Sequence, residues 1–229
     1  MNKKIISITI LVILFISCDK QTITITGGLA AYYPLNGNAD DESGNNYHGI
    51  VHRAIVTEDR FNNSSKAFQF SGSDSFIVLG SDFDFPLRTI NLWFYANTID
   101  EIERHIYISD NPQLNNGFSQ IKIKEYDGIM QIRSSAGIPG GLAEGKSEVS
   151  EKEWYMITLV VDGNETRHYL NGSLIGEFKN GSISSDNGIS SALLGTSRVF
   201  DRYFDGKIDD VKIYGRALSE SEILKLYLK

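Results

Sequence analysis

The sequence predicts an all-β protein: a two-sheet antiparallel jelly-roll sandwich with a short C-terminal helix. Three observations predict it. From residue 29 onward, β-branched and aromatic residues fall in short runs separated by Gly-, Asn- and Asp-rich turns. No long stretch carries a helical period. Glycine is frequent, at 21 residues, and proline is rare, at 4. Many short strands at near-regular spacing fit a closed pair of antiparallel sheets.

The chain opens on a targeting segment. Lys3 and Lys4 precede an apolar run over 5–16, broken only by Ser7 and Thr9. That run is shorter than the ~20 residues a membrane span needs, so it reads as a signal peptide over 1–17. It ends at Phe15-Ile-Ser-Cys18, which is similar to a bacterial lipobox with Phe15 in place of the usual Leu. The similarity implies cleavage before Cys18 and lipidation of that residue. The alternative is an ordinary signal peptide with a coincidental Cys. Cys18 is the only cysteine, so disulfides, thiolate zinc sites and a cysteine nucleophile drop out once it is lipidated. Residues 18–27 form a polar, Thr-rich tether, whose ~10 extended residues reach about 35 Å at most.

Strands are expected at 29–34, 49–56, 67–70, 76–79, 88–95, 105–109, 117–124, 130–134, 154–161, 167–170, 173–178, 191–195 and 206–213. Asn171-Gly172 suits a two-residue hairpin turn with positive φ at both positions, and Asp162-Gly163-Asn164 reads as a second tight turn. The sequons at Asn63, Asn164, Asn171 and Asn180 carry little weight in a bacterial lipoprotein. Ile208, Val211 and Ile213 mark the last strand, with an irregularity expected at Asp209-Asp210. Ser219 and Glu222 then form a capping box before a short helix whose apolar side is Ile223, Leu224 and Tyr227. No repeat, low-complexity tract or interdomain linker interrupts 28–229, which reads as one domain.

Charge narrows the partners. The formal net charge is −7, and cleavage before Cys18 removes two lysines to leave −9. An acidic surface argues against nucleic acid and anionic lipid headgroups, and fits neutral glycans, calcium or protein partners.

Five motifs carry a family resemblance. Gly206-Lys-Ile-Asp-Asp-Val-Lys-Ile-Tyr-Gly-Arg-Ala-Leu-Ser resembles the closing segment of the laminin-G-like, concanavalin A-like jelly-roll domains of bacterial surface proteins. The opening, Gly28 to Gly49 with the acidic loop Asn38-Ala-Asp-Asp-Glu-Ser-Gly-Asn-Asn46, resembles the same family's first strand and loop. Ala67-Phe-Gln-Phe-Ser-Gly72, Glu153-Trp-Tyr-Met-Ile-Thr-Leu-Val-Val-Asp-Gly163 and Tyr169-Leu-Asn-Gly-Ser-Leu-Ile-Gly176 complete the set. Together they cover residues 28 to 228, and they speak more to fold than to function.

The resemblance implies a structural Ca2+ ion shared by the acidic loop and the last strand. Asp41 and Asp209 are the expected side-chain ligands, with Asn38, Asn46 and the backbone carbonyl of His48 as further donors. Calcium takes six to eight oxygens, and such a loop is rich in them. The alternative is an Asx-turn loop with no metal. Trp93 and Trp154 match family positions that pack in the core. Tyr95, Tyr107, Tyr126 and Tyr203 are then left as aromatic residues for stacking on a sugar.

The enzymatic readings are incomplete. Retaining glucanases of this fold use two carboxylates about 5–5.5 Å apart on one strand. In Thr98-Ile-Asp-Glu-Ile-Glu103, Thr98 stands where the nucleophile belongs, so Asp100, Glu101 and Glu103 read as a charged loop. Gln120-Ile-Lys122 only partly resembles a jelly-roll lyase motif. His48, His52, His105 and His168 lack supporting triad or metal spacing. Arg133, Arg198 and Arg202 could form bidentate bonds to a glycan or carboxylate, or be solvated surface groups.

The expectation is therefore a non-catalytic binding domain, lipid-anchored at the cell envelope on the outer membrane or cell surface and recognising carbohydrate. A protein–protein or adhesion module is the alternative.

Overall fold

The computed structural model describes residues 25–80, 83, 85–110, 119–138, 141–163, 165–179 and 191–229. Cys18, the signal peptide, most of the tether, Asn164 and Asn180 lie outside them. The described chain forms two antiparallel sheets and one helix.

The first sheet runs β13 (Ser173–Lys179), β12 (Glu165–Leu170), β11 (Trp154–Asp162), β6 (Leu87–Ala96), β15 (Asp205–Tyr214), β4 (Ala67–Ser71), β3 (Ile55–Thr57). β1 (Leu29–Tyr33) also pairs with β15, with Tyr32 opposite Lys212 and Tyr33 opposite Val211. The second sheet runs β10 (Gly141–Glu148), β9 (Ile129–Ile138), β8 (Ser119–Tyr126), β7 (Arg104–Asp110), β14 (Ser191–Leu194), β5 (Phe76–Val78), β2 (Ile50–His52). First and last strands are thus neighbours.

β15 shows how the sequence sets the backbone. Ile208 and Val211 are three residues apart, so plain alternation would put them on opposite faces. The register shifts between Asp209 and Lys212, and Asp210 sits at φ 55°. This bulge restores the phase, and Ile208, Val211 and Ile213 all point into the core between the sheets. The hairpin after β12 has φ 50° at Asn171 and 77° at Gly172, as its sequence predicts.

A second apolar layer lies outside the first sheet. Helix α1 (Glu220–Tyr227) starts at the capping box formed by Ser219 and Glu222. It covers Trp93, Met156, Val160, Tyr169 and Tyr214. β6 is therefore buried on both faces. The helix buries Ile223 and Leu226, whereas Leu224 is exposed, so Leu226 takes the place expected for Leu224.

Two strand expectations need correction. The run 49–56 is two strands in different sheets: β2 pairs β5 and β3 pairs β4. Arg53, at φ 56°, turns the chain from one sheet to the other. β10 was not expected, because Gly141, Gly145 and its charged residues show no apolar alternation. It pairs with β9 over its whole length and packs against β12 and β13. A Cβ on Gly145 would lie 2.2 Å from the Cβ of His168, and one on Gly176 would lie 2.7 Å from the Cα of Gly145. Glycine at both positions lets the sheets close at this side.

Candidate functional site

The acidic loop after β1 folds on itself. Asp41 accepts bonds from the backbone N–H groups of Tyr32 (2.9 Å), Ser43 (2.9 Å) and Tyr47 (3.0 Å), and from the Ser43 hydroxyl (2.9 Å). Four donors match the roughly four lone-pair positions of a carboxylate. Burial alone would raise the Asp41 pKa, but these donors hold it below the usual carboxylate range. Asn38 bonds Asp40 through both its amide nitrogen and its oxygen. His48 Nδ1 accepts from the Asp41 N–H at 3.2 Å, and Asn46 takes a positive φ of 62°.

Asp209 faces a different partner. Arg60 lies on the loop between β3 and β4, and its Nη1 donates to Asp209 Oδ2 at 2.6 Å. Its Nη2 donates to Asp210 Oδ2 at 3.2 Å. Lys212 Nζ donates to Asp210 Oδ1 at 2.6 Å, and the same ammonium lies 4.5 Å from the Tyr32 ring centroid. Burial and the adjacent Asp210 push Asp209 up from the carboxylate range, with Arg60 opposing them. Burial would also raise Asp210, yet Lys212, Arg60 and Tyr32 hold it down. Tyr32 therefore stands between the two regions: its N–H is bound to Asp41 and its ring lies beside the Lys212 ammonium.

The five expected calcium donors thus divide between these two regions. Asp41, Asn38, Asn46 and His48 belong to a loop whose polar groups bond one another, and Asp209 belongs to the arginine cluster. Among the described residues, no group of three or more His, Cys, Asp or Glu side chains is arranged to hold a metal ion. Asp41 and Asp209 thus have separate hydrogen-bond partners in this structure.

Beside Arg60, a hollow of about 460 Å³ is lined by Phe61, Trp93, Trp154, Tyr227, Leu228 and Lys229. Trp93 is buried and stacks on Tyr227 with ring centroids 5.9 Å apart. Trp154 is half-buried against the same cluster. Trp93 thus packs within this layer, and Trp154 packs against it while also lining the hollow. Tyr107 is buried in the core.

The outer face of the second sheet is built differently. Along β8, Ile121 and Ile123 enter the core, so Gln120, Lys122, Lys124 and Tyr126 point outward. Along β9, Ile132 and Ala136 enter the core and Gln131, Arg133 and Ser135 point outward. Sheet order sets these beside Glu144 of β10 and His105 of β7. Glu103, at the mouth of β7, gathers two cationic side chains and a histidine. Its carboxylate lies 3.3 Å from His105 Nε2 and 3.1 Å from Lys122 Nζ, and it also pairs with Arg202. The His105 bond, followed by Lys122, brings the Glu103 pKa down to about 2 against the effect of burial.

Tyr126 extends this row: the Arg133 guanidinium lies 3.6 Å from its ring centroid. Arg133 bonds Glu144 at 3.2 Å and Gln131 at 3.1 Å. Gln120 bonds the Ser135 hydroxyl at 2.9 Å. The result is a continuous polar row across four strands, with one aromatic face in it. The sequence showed its β8 members through their alternation with Ile121 and Ile123. It gave no means of joining Glu103, Arg133 and Arg202 to them.

A family model for the concanavalin A-like lectin/glucanases superfamily matches residues 62–224. No curated protein matches the chain. Several solved structures are similar. One is domain 4 of AbnA, a GH43 extracellular arabinanase from Geobacillus stearothermophilus, in complex with arabinotriose. It is 20% identical, with 87% of this chain and 98% of that one covered and a TM-score of 0.69. The botulinum neurotoxin serotype D binding domain is 17% identical, with 89% and 52% covered and a TM-score of 0.69. The binding domain of Paraclostridial Mosquitocidal Protein 1 is 20% identical, with 89% and 52% covered and a TM-score of 0.68. The chain spans about half the length of the toxin structures.

Proposed function

The chain belongs to the concanavalin A-like lectin/glucanases superfamily, and we propose that it is a non-catalytic glycan-recognition domain held at the cell envelope by lipid on Cys18. The observation that carries this reading is the polar row on the outer face of the second sheet. Sugars are recognised by planar groups that hydrogen-bond hydroxyls and by an aromatic face that meets the C–H side of the ring. Arg133, Glu144, Gln131 and Lys122 offer the first, and Tyr126 the second. The side chains already hold one another in place, so little ordering is needed on binding. The arabinotriose complex of the arabinanase domain supports a saccharide as the ligand class. Glu103 and Glu144 are each engaged by cations, which suits binding better than acid–base chemistry.

A glycan array followed by calorimetry tests this reading. Binding should appear for a saccharide set, and Arg133→Ala or Tyr126→Ala should weaken it about tenfold or more, the equivalent of about 1.4 kcal/mol. No saccharide should be cleaved. Silence across neutral and acidic glycans would shift the reading to a protein–protein or adhesion module. Exposed Phe61, Leu224 and Leu228 near the 460 Å³ hollow favour that second reading.

A further inference from the structure

We infer that Arg60 takes the place of a metal ion at the junction of first and last strands, so that closure of this fold needs no calcium. The two carboxylates on the β15 bulge, Asp209 and Asp210, are both bound by one guanidinium. The Arg60 side chain is only 12% exposed and that of Asp209 only 5%. Lys212 supplies a second positive charge to Asp210. Two carboxylates thus bond two cations, with Asp59, held by its own loop, as a third carboxylate beside them, and the Arg60 guanidinium already occupies the place between Asp209 and Asp210 that a divalent ion would need.

The position of Arg60 is built by the loop around it. Asp59 accepts from the N–H groups of Phe61 at 2.8 Å and Asn63 at 2.9 Å, and from the Asn63 amide at 3.0 Å. That loop places the guanidinium carbon 4.6 Å from the ring centroids of both Phe61 and Trp93. A planar, permanently charged group suits two ring faces and two carboxylates at once, which a lysine ammonium does not. Tyr32 completes the link to the first strand, with the Lys212 ammonium 4.5 Å from its ring centroid. On the other side, Asp41 has its acceptor positions filled by Tyr32, Ser43 and Tyr47.

Thermal unfolding of the full chain in millimolar calcium and in EGTA tests the inference. The unchanged protein should melt within about 1 °C in the two conditions. Arg60→Ser, in EGTA, should melt about 10 °C lower, because two buried carboxylates lose their partner. Arg60→Lys should fall between the two, keeping the charge without the fork. If Arg60→Ser does not fold at all, the lysine variant and the unchanged protein carry the comparison. A rise of several degrees on adding calcium to the unchanged protein would overturn the inference. So would an Arg60→Ser or Arg60→Lys protein that melts like the unchanged one in EGTA.

Discussion

The outer faces of the two sheets use polar residues in opposite ways. On the first sheet, Arg60, Asp209, Asp210 and Lys212 are largely withdrawn from water beside Trp93 and helix α1, and they answer one another. On the second, Glu103, Lys122, Tyr126, Arg133 and Glu144 form a row with no apolar layer from the described helix above it. The same residue types therefore do different work. The helix covers the first group, whereas the second, whose charged side chains are about as withdrawn, has no described helix over it. Stability and binding should accordingly separate between the faces.

Trp93→Ala should show the largest effect. It removes a buried ring that contacts both Arg60 and Tyr227, at a cost of about 3–5 kcal/mol in chemical denaturation. A loss below 1 kcal/mol would mean that the covering layer on the first sheet contributes little.

Next in size is an effect from between the sheets. His168 is buried, with Nδ1 2.8 Å from the Ser134 hydroxyl and Nε2 3.2 Å from the Thr166 hydroxyl. Burial lowers its pKa from 6.5 to about 4. In the unfolded chain it takes up a proton as pH falls through 6.5, and in the folded chain only near 4. The unfolded state binds more protons within that window, so stability falls as pH drops from 6.5 to 4 and is unaffected by this group above it. The fall attributable to His168 is about 3 kcal/mol. Denaturation curves at pH 7 and pH 4.5 should converge more closely in His168→Gln than in the unchanged protein. An identical pH slope in both would remove His168 as the cause.

Arg133→Ala should have the smallest effect on stability, about 1–2 kcal/mol, since it removes two part-buried hydrogen bonds and no core ring. It is also the variant expected to lose glycan affinity. If it destabilised the fold as much as Trp93→Ala, the contrast between the faces would collapse.

Some of this was legible in the sequence, for physical reasons. The β15 bulge follows from the spacing of Ile208, Val211 and Ile213, and the helix start follows from Ser219 and Glu222. Asn171-Gly172 marks its own turn. These are local rules, satisfied within a few residues. β10 was not legible, because glycine at position 145 is demanded by His168 in another strand and not by its neighbours. The split of 49–56 turns on Arg53, a residue with no special preference for positive φ. The acidic doublet at 209–210 was visible as a charge that needs a cation. That its partner is Arg60, distant in sequence, is settled only by the pairing of β15 with β4 and by the loop that precedes β4. The family resemblance implies calcium there, whereas the cation that bonds both carboxylates in this structure is the Arg60 guanidinium.

The way the two sheets end has a consequence for the protein among its own copies. A sheet's outermost strand ordinarily exposes a row of free N–H and C=O groups on which a second chain can zip. Here β2 and β3, last in their respective sheets, are three residues each and joined across the sandwich at Arg53 and Ala54. At the opposite side, β10 and β13 draw together where Gly145 meets Gly176. The β2–β3 flank therefore offers no long, flat template for strand addition, and the longer strands β10 and β13 are turned toward each other at the opposite one.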